Sequence, residues 1–328
     1  MTDCVVIGAG LSGLLAAQQL QAAGWHITVL DKGRGVGGRM ATRRIGNGVL
    51  DHGAQFFTVR DERFGKLVAD WQRLGLVAEW ARGFADASGQ PHDDGHPRYC
   101  GTTGMTAIPK YLAQDLDVQV NIRVKSIEDS GDRWHIITDD GQHFHTGALV
   151  LTPPVPQSLA LLDAGSVRLP PATRHALDQI AYHPCLAVLA LLDQPSRIPS
   201  PGAVQLDSEP IRWIADNTQK GISPDAQAIT IHGAPGFSRD HWDADRTRAG
   251  QKLLDAAANW LGDARVTTFQ VQGWRYSQPV ETYPEPCLVV EGLPPLVFAG
   301  DAFAGPRVEG AALSGMAAAD ALLNQPPG

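Results

Sequence analysis

Cysteine is scarce and scattered. Four residues (Cys4, Cys100, Cys185, Cys287) stand in a chain of 328, with no CxxC pair and no metal-ligand spacing. That pattern excludes a disulfide framework, and with Cys4 and Cys185 in apolar runs it fits buried free thiols in a reducing compartment. Long apolar stretches are missing too. Cys185–Leu192 is far short of the ~20 residues that cross a bilayer. The apolar segment opening at Cys4 runs straight into a glycine fingerprint, with no signal-peptide pattern, so the expected location is the cytoplasm. Positive charge is in deficit: 27 Lys and Arg against 35 Asp and Glu, a formal charge of −8. This argues against nucleic acid or an anionic membrane as the main partner. No serine elbow or Cys/His set marks a nucleophile, and no repeat or low-complexity tract appears. The segment His92-Asp93-Asp94-Gly95-His96 lies in a soft polar loop and is expected to be solvated, with no metal.

What is present is glycine in a pattern. Cys4–Gly8 has the composition of a strand, Gly8, Gly10 and Gly13 follow, a helix runs to about Ala23, and a second strand, His26–Leu30, closes at Asp31. In such a βαβ unit Gly8 permits the tight turn and Gly10 lets backbone approach a pyrophosphate. Gly13 lets helix and strand pack closely, and the helix N-terminus faces the phosphate charge. Asp31 is placed to take a ribose 2′-hydroxyl. The further run Gly33-Arg34-Gly35-Val36-Gly37-Gly38-Arg39 is more than an ordinary NAD domain needs and suits a longer cofactor. At the other end Leu296–Ala299 leads to Gly300-Asp301, where a carboxylate can accept a ribityl hydroxyl. A helix over Gly310–Leu323 aims its N–H groups at what precedes it.

Between these ends the periodicity predicts helices over Asp61–Leu74, Met105–Gln114 and Arg246–Leu261. Strands are expected over Val118–Ile127, Trp134–Thr138, Ala148–Thr152, Cys185–Leu192, Ile211–Asp216, Ala228–His232 and Val266–Trp274. Gly48–Thr58 has the composition of a loop. Phe84–Arg98 is an exposed excursion, His143 and His145 fall in polar turns, and Gln325–Gly328 is a frayed tail. The fold class is α/β (α+β overall): terminal segments that share one domain, with an antiparallel-sheet domain inserted between them.

The blocks VVIGAGLSGLLAAQQL, LDKGRGVGGRM and VFAGDAFAGPRVEGAALSGMAAA resemble the flavin-containing amine oxidase superfamily. Its FAD domain is split around a substrate domain. The resemblance implies a Rossmann-like FAD-binding domain over 1–57, 96–156 and 275–328, with the substrate domain over 58–95 and 157–274. It implies FAD contacts at Gly8, Gly10, Leu11, Ser12, Gly13, Asp31, Lys32, Gly38, Arg39, Met40, Gln55, Phe56, Phe57, Val124, Gly300, Asp301, Val308, Glu309, Gly310 and Ala311. His52 and Gln55 are cofactor-positioning groups on the same basis. No cysteine lies where monoamine oxidases attach flavin, so the FAD is expected to be non-covalent. DHGAQFFTVR (Asp51–Arg60), GWRYSQP (Gly273–Pro279) and GDAF…VEGA are most similar to the renalase branch, bacterial members included. That similarity implies an oxidase of 2- and 6-dihydro-NAD(P) that passes hydride to the flavin and then to O2, giving hydrogen peroxide. The expected partners are thus a small-molecule dinucleotide and O2, with the chain a monomer or weak dimer.

Candidate walls of the substrate pocket are Trp213, His232, Trp274, Tyr276 and Phe303. Trp274 is favoured because it stands beside a domain crossing, where ligand sites form. Trp213 fits plain strand core equally well. His232 fits either a hydrogen-bonded structural histidine or a polar handle for a substrate amide. The absence of an acid–base pair suits hydride transfer, which needs geometry more than proton shuttling. Two alternatives stand beside this reading: an amine oxidase, for which no family-type active-site lysine is apparent at Lys220 or Lys252, and a non-catalytic FAD-binding module.

Overall fold

The computed structural model describes residues 3–206 and 208–324; the Gln325–Gly328 tail lies outside them. The chain divides into two compact units. One comprises Met1–Gly38, Pro109–Ala181 and Pro279–Gly328, the other Arg39–Ile108 and Tyr182–Gln278. The cofactor and substrate segments expected from the sequence cut the chain elsewhere. Residues 39–57, 96–108 and 275–278 go with the second unit, and 157–181 with the first.

In the first unit six strands form one sheet in the order Leu288–Val290, Leu296–Phe298, Ala148–Leu151, Asp3–Ile7, His26–Asp31, Asp117–Val120. The central strands pair in parallel, Cys4 opposite Ala148 and Ile27, and Leu149 opposite Leu296. They are nearly continuous apolar runs because parallel strands are covered on both faces. Val6, Val29, Leu149, Val150 and Val297 are wholly buried. The chain's two ends therefore share a sheet. Their helices also meet: a Cβ on Gly315 of the closing helix Val308–Leu323 would stand 2.2 Å from the Ser12 carbonyl oxygen. A small antiparallel sheet, Val124–Asp129, Trp134–Thr138 and His143–Thr146, completes the strands of this unit.

The second unit is built on five strands in the order Ala203–Gln205, Ile211–Asp216, Ala228–Gly233, Tyr182–Leu192, Val266–Pro279. Period-two alternation gives this sheet two distinct faces. Leu186, Val188, Ala190, Ile214, Ile229 and Ile231 face a core closed by Leu253, Leu254 and Leu261. The opposite face carries Leu189 and Ala228 packed against Ile45 and Leu50, and Trp213 and Ala215 packed against Ala81 and Phe84.

Several elements depart from the sequence reading. Val118–Ile127 is two strands in two sheets, broken at Asn121, whose φ of 59° no strand can continue. Part of the supposed loop Gly48–Thr58 is a strand, Gly48–Asp51, paired with Thr42–Ile45. His143 and His145 lie on the strand His143–Thr146, His145 opposite His135, and not in turns. Phe84 and Ala85 of the supposed excursion are buried, and Ala85 bridges Val204. The strand bearing Trp274 runs on to Pro279.

Candidate functional site

In the first unit the turn after Asp3–Ile7 leads to the helix Leu11–Ala22, with Gly10 as N-cap in ordinary extended backbone (φ −79°, ψ 177°). A Cβ on Gly13 would lie 2.0 Å from the Gly8 carbonyl oxygen, so only glycine lets strand and helix approach this closely. A Cβ on Gly10 would meet nothing within 4 Å, which leaves open space before the helix N-terminus. Beside it the Ser12 hydroxyl is buried with no partner among the described residues. Open space, a positive helix end and an unused hydroxyl fit a dinucleotide's pyrophosphate.

Asp31 braces this turn. Its carboxylate accepts from the Ala9 N–H at 2.7 Å and the Gly33 N–H at 2.6 Å. A ribose hydroxyl would share a group that already fixes the cradle. Gly37 N–H donates to the Ala9 carbonyl at 2.8 Å, which folds the second glycine run back onto the first, and Gly38 lies close to Gly10. Lys32 donates to Gln157 at 2.9 Å, Leu11 is core, and Val124 opens a strand of the small sheet. Gly300 donates its N–H to Ser314 at 2.8 Å, immediately before Asp301. Val308, Glu309, Gly310 and Ala311 form the first turn of the closing helix. Phe303 is buried edge-on to Tyr283, 5.7 Å between centroids.

In the second unit the segment Asp51–Phe56 lies against the sheet face that carries Trp213 and His232. Lys220 holds it: Nζ donates to Asp51 Oδ2 and to the Gln55 carbonyl, each at 2.6 Å. Both side chains of this ion pair are fully buried, and the ammonium also sits 4.9 Å from the Trp80 ring centroid. Asp51 Oδ1 accepts from the Met105 N–H at 2.9 Å, and the Asp51 carbonyl accepts from Thr230 at 2.9 Å and Gln55 Nε2 at 2.7 Å. Trp274 Nε1 donates to the His52 carbonyl at 2.8 Å and its ring stacks on His52, 5.3 Å between centroids.

With the backbone so occupied, the buried side-chain atoms without a partner among the described residues include, on this face, His52 Nδ1, Gln55 Oε1, Trp213 Nε1 and His232 Nε2. Buried polar atoms are rarely orphaned, and each such case calls for an explanation. Burial, more than the nearby Arg43 charge, pushes the His52 pKa down to about 4. Burial does the same at His232, also to about 4, against the opposing hydrogen bond to the His52 backbone. Both imidazoles are neutral at pH 7. The fully buried cation of this cluster, Lys220, is matched by the equally buried Asp51.

The second unit thus gathers Gln55, Phe56, Trp213, His232 and Trp274. Phe56 packs on Trp213 and Phe84, while Phe57 is buried against Phe64 and Tyr99. Met40 is buried, and its carbonyl accepts from Thr106. Arg39 donates to the carbonyls of Tyr276 and Ser277, and the Tyr276 ring meets Tyr182 edge-on. Sequence reasoning set Lys220 aside and gave Asp51 no role. Nothing in the turn Asp216–Gly221 advertises a buried cation; its role depends on a partner 169 positions away.

The family Flavin containing amine oxidoreductase matches residues 64–323, and a NAD(P)-binding Rossmann-like domain matches residues 6–71. Renalase of Mus musculus is 24% identical over 322 residues, 92% of this chain and 93% of its own. A solved structure from Exiguobacterium sp. 255-15, provisionally assigned as a protoporphyrinogen oxidase, superposes with a TM-score of 0.76 at 15% identity over 99% of both chains. Wild-type putrescine oxidase bound to putrescine superposes at 0.73 with 16% identity, again over 99% of each chain. The glycine cradle, the sheet shared by the chain ends and a family match over most of the length lead to one assignment: the chain belongs to the flavin-containing amine oxidoreductases and is an FAD-dependent oxidoreductase.

Proposed function

We propose that the protein oxidises isomeric dihydronicotinamides, the 2- and 6-dihydro forms of NAD(P), with O2 as the final acceptor. The balance is dihydro-NAD(P) + O2 + H⁺ → NAD(P)⁺ + H2O2. FAD, when bound, supplies the hydride acceptor and returns the two electrons to O2. The similarity to renalase along almost the whole of both chains supports the reading. The observation that carries it is the set of neutral, unpartnered polar atoms on the His52–His232 face, in a cluster whose one buried cation is neutralised by Asp51.

Loss of hydride from a dihydropyridine restores an aromatic ring and leaves no proton to remove, so a face without a working base is adequate. In this reading the cradle around Gly10, Ser12 and Asp31, with Gly300, Asp301 and Val308–Ala311, holds the cofactor. Gln55 and His52 position it, and the FAD is non-covalent. Trp274 stacks against His52 and excludes water from the reacting ring, while Trp213 and His232 hold the substrate. Tyr276 and Phe303 act as further apolar walls.

Amine oxidation is the runner-up. The aromatic rings it needs are present, but Phe56, Trp80, Phe84 and Trp213 pack on one another. Anaerobic mixing of FAD-loaded protein with 2- or 6-dihydro-NAD(P) should bleach the flavin absorbance within seconds, and peroxide should appear when air is admitted. An unchanged flavin spectrum, with bleaching by a member of an amine panel instead, would transfer the assignment to the runner-up.

A further inference from the structure

Two of the unpartnered atoms form a matched pair. Trp213 and His232 are directly opposite each other on adjacent antiparallel strands, so their side chains leave the same face of the sheet as close neighbours. Ile214 and Ile231, one residue along, point to the core on the other face, which fixes this orientation. Trp213 is 7% exposed and its Nε1 is buried with no partner among the described residues. An indole N–H can only donate. His232 Nε2 is equally buried and equally unpartnered. Burial keeps its ring neutral, and the one backbone group that opposes this is that of His52; with Nε2 unpartnered, the hydrogen is assigned to Nδ1 and Nε2 presents a lone pair. One donor and one acceptor are therefore buried on opposed residues of one sheet face, and neither has a partner among the described residues.

The ligand group that satisfies both must offer an acceptor and a donor in one plane. A primary carboxamide does so: its oxygen takes the indole hydrogen and its NH2 gives a hydrogen to the imidazole. A carboxylate offers two acceptors and would set an oxygen against the Nε2 lone pair. An ammonium offers only donors and leaves the indole N–H unmet. A methyl ketone satisfies Trp213 alone.

We propose that Trp213 and His232 form a carboxamide-recognition pair that selects an aryl carboxamide as the substrate headgroup. The proposal rests on the dihydronicotinamide reading above, for it names the part of that substrate which is recognised. It also explains why a face without catalytic acids keeps two buried polar rings. Their task is orientation, and a wrongly seated ring would present a different carbon for hydride loss.

The test uses FAD-loaded full-length protein and binding, read by perturbation of the flavin absorbance, with four probes: NAD⁺, its 3-acetylpyridine analogue, its nicotinic acid analogue, and free nicotinamide. Wild-type protein should bind the carboxamide probe NAD⁺ about tenfold more tightly than either dinucleotide analogue, the loss of one buried hydrogen bond. His232→Phe should bind NAD⁺ and the acetyl analogue equally. His232→Gln, whose side-chain oxygen can accept, should restore part of the preference. Trp213→Phe should weaken both by a similar factor, because each still presents a carbonyl to the missing N–H. Retained flavin absorbance shows that the variants fold and load. Equal binding of amide and acetyl probes by wild type, or an undiminished preference in His232→Phe, overturns the pair. The two readings fail separately. Bleaching by dihydro-NAD(P) with no amide preference removes the recognition pair alone. An amide preference that extends to free nicotinamide, without bleaching, removes the oxidase reading alone.

Discussion

At the scale of single residues, Lys220 shows how a buried charge can organise a site without doing its chemistry. The ammonium spends two of its hydrogens on Asp51 and the Gln55 carbonyl, the two ends of the segment that carries His52. Removing one partner of a buried ion pair leaves the other as an uncompensated charge. Lys220→Met should therefore cost about 3–5 kcal/mol of stability, whereas Lys220→Met with Asp51→Asn should recover most of that loss. Urea denaturation midpoints check both, and a single variant within 1 kcal/mol of wild type would contradict the pairing argument.

His52, which is buried, and His232, which is half-buried with Nε2 inside, give a second prediction, in pH. Unfolded, each titrates near 6.5; folded, each is held to about 4. Between those values the unfolded chain binds more protons, so stability is unaffected by these groups above about pH 6.5 and falls as the pH drops toward 4. The loss amounts to about 3 kcal/mol per histidine. His232→Gln should have a shallower decline in urea midpoint between pH 6.5 and 5 than wild type. An identical decline would mean that His232 protonates inside the fold.

Neither behaviour was legible in the sequence. His232 could be placed at the end of a strand, and a substrate-amide role was open to it, but its pairing with Trp213 is a fact of the folded sheet. Its burial and its unused nitrogen depend on the Asp51–Phe56 segment arriving from far away in the chain.

At the scale of elements the glycine-rich turns were the most legible part, because each glycine there answers a local steric demand that a sequence pattern preserves. Gly10 and Gly13 separate two such demands. At Gly13 a methyl group would meet backbone 2.0 Å away, and backbone cannot yield as a side chain could. Gly13→Ala should cost at least about 3 kcal/mol and lose the cofactor with the fold. At Gly10 the backbone suits any residue and a methyl group enters open space. Gly10→Ala should leave the apoprotein within about 1 kcal/mol of wild type yet weaken FAD binding about tenfold or more, because the methyl stands where the pyrophosphate must approach. Fluorescence titration with FAD and melting of the apoprotein check the two halves. If Gly10→Ala bound FAD as wild type does, the open space would not be the phosphate site.

The elements that sequence reasoning missed are those without such local demands. Thr42–Ile45 and Gly48–Asp51 are four-residue strands with no clear alternation, and they exist because the sheet face beneath them needs cover. His143 and His145 alternate with Phe144 and Thr146 in a polar context, so strand pairing with Trp134–Thr138 is what reveals them.

At the scale of the whole molecule the chain passes between its compact units four times, after Gly38, Ile108, Ala181 and Gln278. Neither unit is a continuous piece of sequence. The meeting of the two ends could nevertheless be read, since a glycine cradle at one end and a strand–glycine–helix at the other are two halves of one dinucleotide site. The boundaries could not, because residues 39–57 contribute to a sheet face assembled mostly from 182–278. The long-range construction has a thermodynamic consequence. A cofactor held by segments from both termini binds only the folded chain, so it stabilises by mass action. At free FAD one hundred times its dissociation constant the gain is about 2.7 kcal/mol, a rise in melting temperature of about 4 °C for a chain of this length. Melting should therefore shift upward with FAD concentration, and Gly10→Ala should need about tenfold or more FAD for the same shift. A melting temperature indifferent to FAD in wild type would mean that the cradle described here does not hold the cofactor.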